Sequence, residues 1–209
     1  LIKNIYPTSG NIFFDKRNIL QFSNKQTQLY KRKDISIIYQ KDDLYYYRGK
    51  NVNNYVYYSG RLFRIVSIDN NVKLISNDID TTLVWGYDSN YQDSYVNKWL
   101  NNNYYNSLSQ GEFELIKSNL CNSSIDINNY SCNETIEENI GLLTTEEYIR
   151  AMGSESYLNI NKYWWTINYD ENNLVYYVNS SFRIIRHFRS LCIAFYSIVF
   201  IDSNVRKYK

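Results

Sequence analysis

The residues with the clearest chemical potential are three cysteines. Cys121 and Cys132 bracket the polar, turn-rich stretch CNSSIDINNYSC, and Cys192 lies in an apolar run. Two thiols at this spacing can close a small loop, worth about 3 kcal/mol on the loop-entropy argument. A loop of Asn, Ser and Asp has little core of its own, so a covalent staple is a physical means of ordering it. Zinc is the competing chemistry. It takes about four Cys or His ligands, and the chain supplies three Cys and the distant His187. We therefore expect a Cys121–Cys132 disulfide rather than two free thiols, and with it an oxidising compartment. Cys192 reads as a small buried hydrophobe.

Other reactive constellations are sparse. The Gly-rich phosphate cradles, the H-E-x-x-H zinc motif and the G-x-S-x-G nucleophile turn are absent. A Cys192–His187 dyad would place its thiolate in the most apolar segment, where the charged form is disfavoured. Asp78 with Asp80, and Asp88 with Asp93, are oxygen ligands of the kind calcium takes, but neither pair follows the EF-hand spacing. A glycosidase carboxylate pair is defined by a separation in space and has no sequence signature. No catalytic residue, cofactor or metal is expected. The sequons at Asn122, Asn133 and Asn179 are short enough to recur by chance in an Asn-rich chain.

The aromatic run Tyr163-Trp164-Trp165 offers binding chemistry instead. On a strand Trp164 and Trp165 point to opposite faces, so one is expected in the core and the other free to stack on a ligand. Tyr is abundant, 23 of 209 residues. AT-rich codon usage explains that, and so does a recognition surface, where Tyr gives contact area at low entropy cost. The net charge of +2 does not supply the basic face that a phosphate backbone needs. Lys31-Arg32-Lys33 and the group Arg183, Arg186, His187 and Arg189 read as solvated patches, and no nucleic-acid partner is expected. The longest apolar run, 191–201, falls short of the ~20 residues of a spanning helix. Membrane attachment would need an anchor outside this chain.

The elements that must position these residues follow from patterning. Tyr55–Tyr58 and Leu62–Ile68 read as a hairpin turned at Ser59-Gly60, the second strand apolar on both faces. Val72–Ile75 returns as another strand. Val96, Trp99, Leu100 and Tyr104 recur at helical spacing behind a cap at Asp93 or Ser94. Ser109–Glu112 and Thr144–Glu147 fit capping boxes, the second leading to a stop at Gly153. Ile140–Leu143, Tyr163–Thr166, Leu174–Val178, Phe182–Ile185 and Leu191–Ile201 read as strands, with turns at 168–173 and 179–181. Strands, then helices, then strands give an α+β class. Residues 1–43 are expected to be an extension packing partly on a single domain at 44–209.

The order of motifs is distinctive. YYYRGKNVNNYVYYSGRLFRIVSI at 45–68 is followed by KLIS at 73–76 and YVNKWLNNNYYNSL at 95–108. Then come the CNSS…SC loop, IGLLTTEEY at 140–148, YLNINKYWWT at 157–166 and VYYVNSS at 175–181. Over roughly residues 40 to 204 this resembles the bacterial family of unknown function 6273, found in secreted and cell-surface proteins of Firmicutes. The resemblance implies an extracellular or cell-surface location. It also implies a compact C-type-lectin-like fold, similar to that of formylglycine-generating enzymes, with antiparallel or mixed sheets and two to three short helices. It carries no catalytic residues. The chain departs from the family at Phe195-Tyr196-Ser197, where a Val-Arg-Pro strand is usual. It also lacks the lectin calcium tripeptide, its sole proline being Pro7, and the paired active-site cysteines of the formylglycine type.

These readings converge on a surface-displayed binding or adhesion module for a glycan, a peptide or another surface protein. The expected ligand contacts are Trp165, Asn168, Tyr169 and Tyr177. An enzyme of cell-wall or surface polymers and a structural spacer are the alternatives.

Overall fold

Aromatic and β-branched alternation makes strands the main regular structure of the described residues. A computed structural model describes residues 38–69, 71–108, 115–160, 162–189 and 192–202. The class is mixed α+β, with mostly antiparallel sheets and a few short helices. The capping box expected at 109–112, and residues 1–37 of the expected extension, lie outside the described residues.

The first sheet begins with a hairpin of β1 (Ile38–Lys41) and β2 (Leu44–Tyr47). β3 (Tyr55–Tyr58) and β4 (Arg61–Ile68) form a second hairpin. Its turn residues Ser59 and Gly60 both have positive φ, 52° and 72°, the geometry whose twist matches a two-residue hairpin. β4 pairs β3 through Arg61–Arg64 and β2 through Ser67–Ile68. β5 (Asn71–Ser76), β14 (Ile198–Asp202) and β9 (Ile140–Gly141) complete the sheet in that order. The second sheet has the order β12-β11-β10-β13-β6, with β6 (Thr81–Val84), β10 (Trp164–Tyr169), β11 (Val175–Val178), β12 (Ile184–His187) and β13 (Cys192–Phe195). Only β10 and β13 run parallel among the pairings of the described strands. β7 (Ser118–Cys121) and β8 (Thr135–Glu138) make a separate hairpin.

The apolar run 191–201, expected as one strand, is two strands in different sheets. β13 pairs β6 and β14 pairs β5, so two neighbouring segments cross from sheet to sheet together. Asp80 clasps the crossing. Its Oδ2 accepts from Ser197 N at 2.7 Å and from Ser76 Oγ at 2.8 Å, taking up an N–H that an unbroken strand would give to a neighbour. Burial pushes the Asp80 carboxyl up, and the Ser197 and Ser76 donors oppose that shift. Asp80 is thus a structural group at the crossing.

The helical section is short. Ser94 Oγ accepts from Asn97 N at 2.9 Å and caps α1 (Tyr95–Lys98). A π-helical segment, Trp99–Tyr104, leads into α2 (Tyr105–Ser107). Within the wide turn, Asn101 pairs with β9 as a peptide unit would. Its Oδ1 accepts from Ile140 N at 2.9 Å and its Nδ2 donates to Ile140 O at 3.0 Å. Thr144 and Glu147 form the expected capping box of α3 (Thr145–Arg150). Glu147 also meets Lys73 of β5, which ties the helix to the first sheet. Arg64 is a second tie. It donates to Asn54 Oδ1, to Val52 O and to Tyr157 O, and its guanidinium lies 4.4 and 4.6 Å from the ring centres of Tyr55 and Tyr157.

Trp164 and Trp165 are both in the core, 1% and 0% exposed, against the expectation that one would be free. β10 is an interior strand covered on both faces. Tyr148 and Tyr196 pack edge-on against Trp164, and Trp85 and Tyr177 against Trp165.

Candidate functional site

The cysteine loop is an irregular segment anchored by covalent and hydrogen bonds. Cys121 and Cys132 are joined by a disulfide, with their Cα atoms 5.7 Å apart, within the ordinary span of such bridges. The bridge closes the end of the β7–β8 hairpin, where Cys121 lies opposite Thr135. Asn122 N donates to Glu134 O at 2.8 Å, and Asn122 Oδ1 accepts from Gln92 N at 3.0 Å. Ser124 bridges to Tyr169, and Ile125 N donates to Tyr169 O at 2.8 Å. The Tyr169 hydroxyl donates to Asn122 O at 3.3 Å. The staple, the hairpin and the end of β10 therefore hold residues 122–125 from three sides.

So held, the loop walls a groove of about 700 Å³ against the β10–β11 turn, β11 and β12. Ile125 and Ile127 line it from the loop, and Tyr176 and Ile184 from the strands. Tyr176 lies directly opposite Arg186, and Val178 opposite Ile184, so Tyr176, Ile184 and Arg186 share one sheet face. Asp126, Asp170 and Glu171 add carboxylates. Asp170 is 2% exposed and fully engaged. It accepts from Asn172 N, from Leu174 N at 2.8 Å and from Arg186 Nη1 at 2.7 Å. The first two bonds shape a tight turn containing Asn173 at φ 61°; the third fixes Arg186 at the groove, where half of its side chain stays exposed. Burial and the Asp170 carboxylate push the Tyr176 hydroxyl up, and Arg186 opposes them.

The opposite face of the same strands is aromatic. Trp165, Tyr177 and Ile185 lie in one cross-strand row. Half-exposed Tyr163 packs on Tyr177 at 5.9 Å. Ile185 and Phe188 are also exposed. A separate exposed pair, Tyr87 and Tyr95, meets edge to face at 5.7 Å.

The expected ligand contacts are redistributed by this geometry. Trp165 is interior, its Nε1 donating to Leu83 O at 3.2 Å, and is corrected to a core residue. Asn168 is also buried. Its Oδ1 accepts from Thr145 N at 2.8 Å, so it serves the start of α3. Tyr169 supports the groove wall from beneath, and Tyr177 is a floor under Tyr163. Cys121, Cys132 and Tyr169 anchor the loop that lines the groove without lining it themselves, and Trp165, Asn168 and Tyr177 do not line it either. The groove residues Tyr176, Ile184 and Arg186 are not among the contacts expected from the sequence. Alternation in VYYV and RIIRH was the available signal, but the face that meets the loop is set by register. Among the described residues, no three His, Cys, Asp or Glu side chains gather as a metal site, and no helix is long and apolar enough to cross a membrane. No protein family, curated protein or solved structure matches the chain.

Proposed function

We propose that the chain is a binding module displayed outside the cell, with the groove walled by the disulfide-anchored loop and the adjoining faces of β11 and β12 as its ligand site. The observation that carries this reading is the anchored loop. A covalent staple and the bonds to Tyr169 hold Ile125 and Ile127 over Tyr176 and Ile184, with the exposed guanidinium of Arg186 alongside. Binding sites combine apolar side chains with fixed polar groups, and this cleft sets Ile125, Ile127, Tyr176 and Ile184 beside Arg186 and the carboxylates of Asp126, Asp170 and Glu171. The extracellular location is supported by the disulfide, which persists in oxidising surroundings. The resemblance to family 6273 and to a C-type-lectin-like arrangement rests on the motif order alone, and fold analogy by itself assigns no activity.

The candidate ligands are a glycan, a peptide or another surface protein. An enzyme of surface polymers would need two available carboxylates across the cleft; of the three that line it, Asp170 is taken up by three hydrogen bonds, which leaves Asp126 and Glu171 as the pair for that reading. The test is a glycan and peptide array probed with the purified oxidised chain, with Arg186→Glu and with Tyr87→Ala. The expected result is a signal that Arg186→Glu reduces and Tyr87→Ala leaves in place. Loss on Tyr87→Ala alone would move the site to the Tyr87–Tyr95 pair. A folded chain with no signal on either array would overturn the reading.

A further inference from the structure

The groove opens along β12, and β12 is the last strand of its sheet. Its backbone phase can be read from the pairing. Asn179 N donates to Arg183 O at 2.9 Å, and the following partners in the same phase are Tyr177 with Ile185 and Val175 with His187. Hydrogen-bonded and non-bonded pairs alternate along an antiparallel ladder. The N–H and C=O groups of Ile184 and Arg186 therefore point away from β11, and no described strand takes them.

The two faces flanking that edge differ in chemistry. On the face of Ile184 and Arg186 lies the groove, where Ile125, Ile127 and Tyr176 stand beside the carboxylates of Asp126, Asp170 and Glu171, which favour apolar over acidic side chains on that side. On the alternate phase stand exposed Arg183, Ile185 and His187, with Arg189 just beyond. The segment 183–189 contains three arginines and no acidic residue. Charged edge strands discourage pairing between copies of the same sheet. Arg186 is already paired with Asp170 on the groove side, and Arg183 and Arg189 on the other phase leave a strand that carries acidic residues on that side as the complement.

We propose that β12 accepts an extended peptide of alternating apolar and acidic residues as an added strand. Its backbone would pair with Ile184 and Arg186. Its apolar side chains would enter the groove, and its carboxylates would face the side that carries Arg183. Main-chain bonds supply affinity in such strand addition, and the pockets for alternate side chains supply specificity. This rests on the groove being the binding site and names its ligand class.

The test uses the oxidised full chain and a capped octapeptide alternating Val and Glu. Controls are the Val–Lys peptide, hexaglutamate, and two versions of the Val–Glu peptide N-methylated on the Val or on the Glu nitrogens. Binding is followed by titration calorimetry and by amide exchange. One N-methyl phase is expected to weaken binding by about tenfold or more, the scale of one hydrogen bond, and the other to leave it nearly unchanged. The Val–Lys peptide and hexaglutamate should bind more weakly by a similar factor, and Arg183→Glu should narrow the gap between the Val–Glu and Val–Lys peptides. Exchange of the Ile184 and Arg186 amides should slow on binding while that of Ile185 stays as it was. Equal loss from both N-methyl phases, or equal binding of hexaglutamate, would overturn strand addition. A chain that binds a glycan through Arg186 but no peptide would also overturn it and leave the binding-module reading standing. A chain that binds neither would remove both.

Discussion

Removal of the staple tests the site most directly. The double variant Cys121→Ser, Cys132→Ser releases a link between residues separated by 11 positions. On the loop-entropy relation this frees about 9 cal/mol/K in the unfolded chain, or about 3 kcal/mol at 25 °C. That is a large share of the roughly 5–15 kcal/mol typical of a folded domain. The loss should not be uniform. The Asn122–Glu134 bond and the bonds between Ile125 and Tyr169 do not depend on the sulfurs, so residues 122–125 should stay seated on β10. Residues 126–132, which line or adjoin the groove, should open. Urea unfolding of the oxidised and variant chains gives the global change. Native-state amide exchange gives the local one, with faster exchange expected at 126–132 and little change at Ile125. Ligand affinity at the groove should fall in parallel. A stability change below about 1 kcal/mol with unaltered loop exchange would refute the argument that the covalent link orders this wall.

Arg64→Met removes a guanidinium held by three oxygen acceptors and two tyrosine rings. It should cost about 3 kcal/mol in denaturant unfolding, and Arg64→Lys should recover less than half, because an ammonium cannot fork between three acceptors. Burial works against the Glu147 carboxylate, but Lys73, the Thr144 N–H and Arg150 hold its carboxyl below the ordinary value of 4.5. Its stabilisation is therefore present above about pH 4.5 and lost as pH falls through its lower folded value. Glu147→Gln should cost about 2 kcal/mol at pH 7 and flatten the acid limb of a thermal-melt profile. Asp80, raised by burial from 3.8, works in the opposite sense, its contribution declining as pH rises above that value. The Tyr196 hydroxyl is buried without a protein hydrogen-bond partner. Tyr196→Phe should leave the melting temperature unchanged or raise it, by up to about 1 kcal/mol of stability; a comparable loss would show that the hydroxyl is satisfied in solution.

Local chemistry alone settled a definite part of this protein. The Ser59-Gly60 hairpin, the Ser94 cap, the Thr144 capping box and the α+β class all depend on contacts between residues a few positions apart. The Cys121–Cys132 pairing was legible for the same reason, since the two thiols share one short polar loop. Tertiary structure decided the rest. The apolar run 191–201 divides between two sheets because Asp80, more than a hundred positions away, takes the Ser197 N–H. Trp165 is core because Trp85 and Tyr177 close over it, and no property of the YWW run specifies those neighbours. Tyr176 and Tyr177 are chemically identical neighbours. Pairing with Arg186 places one at the groove, and pairing with Ile185 places the other on the aromatic face. A strand with apolar residues on both faces carries no periodic label for which face meets a loop, so only long-range register can assign the site.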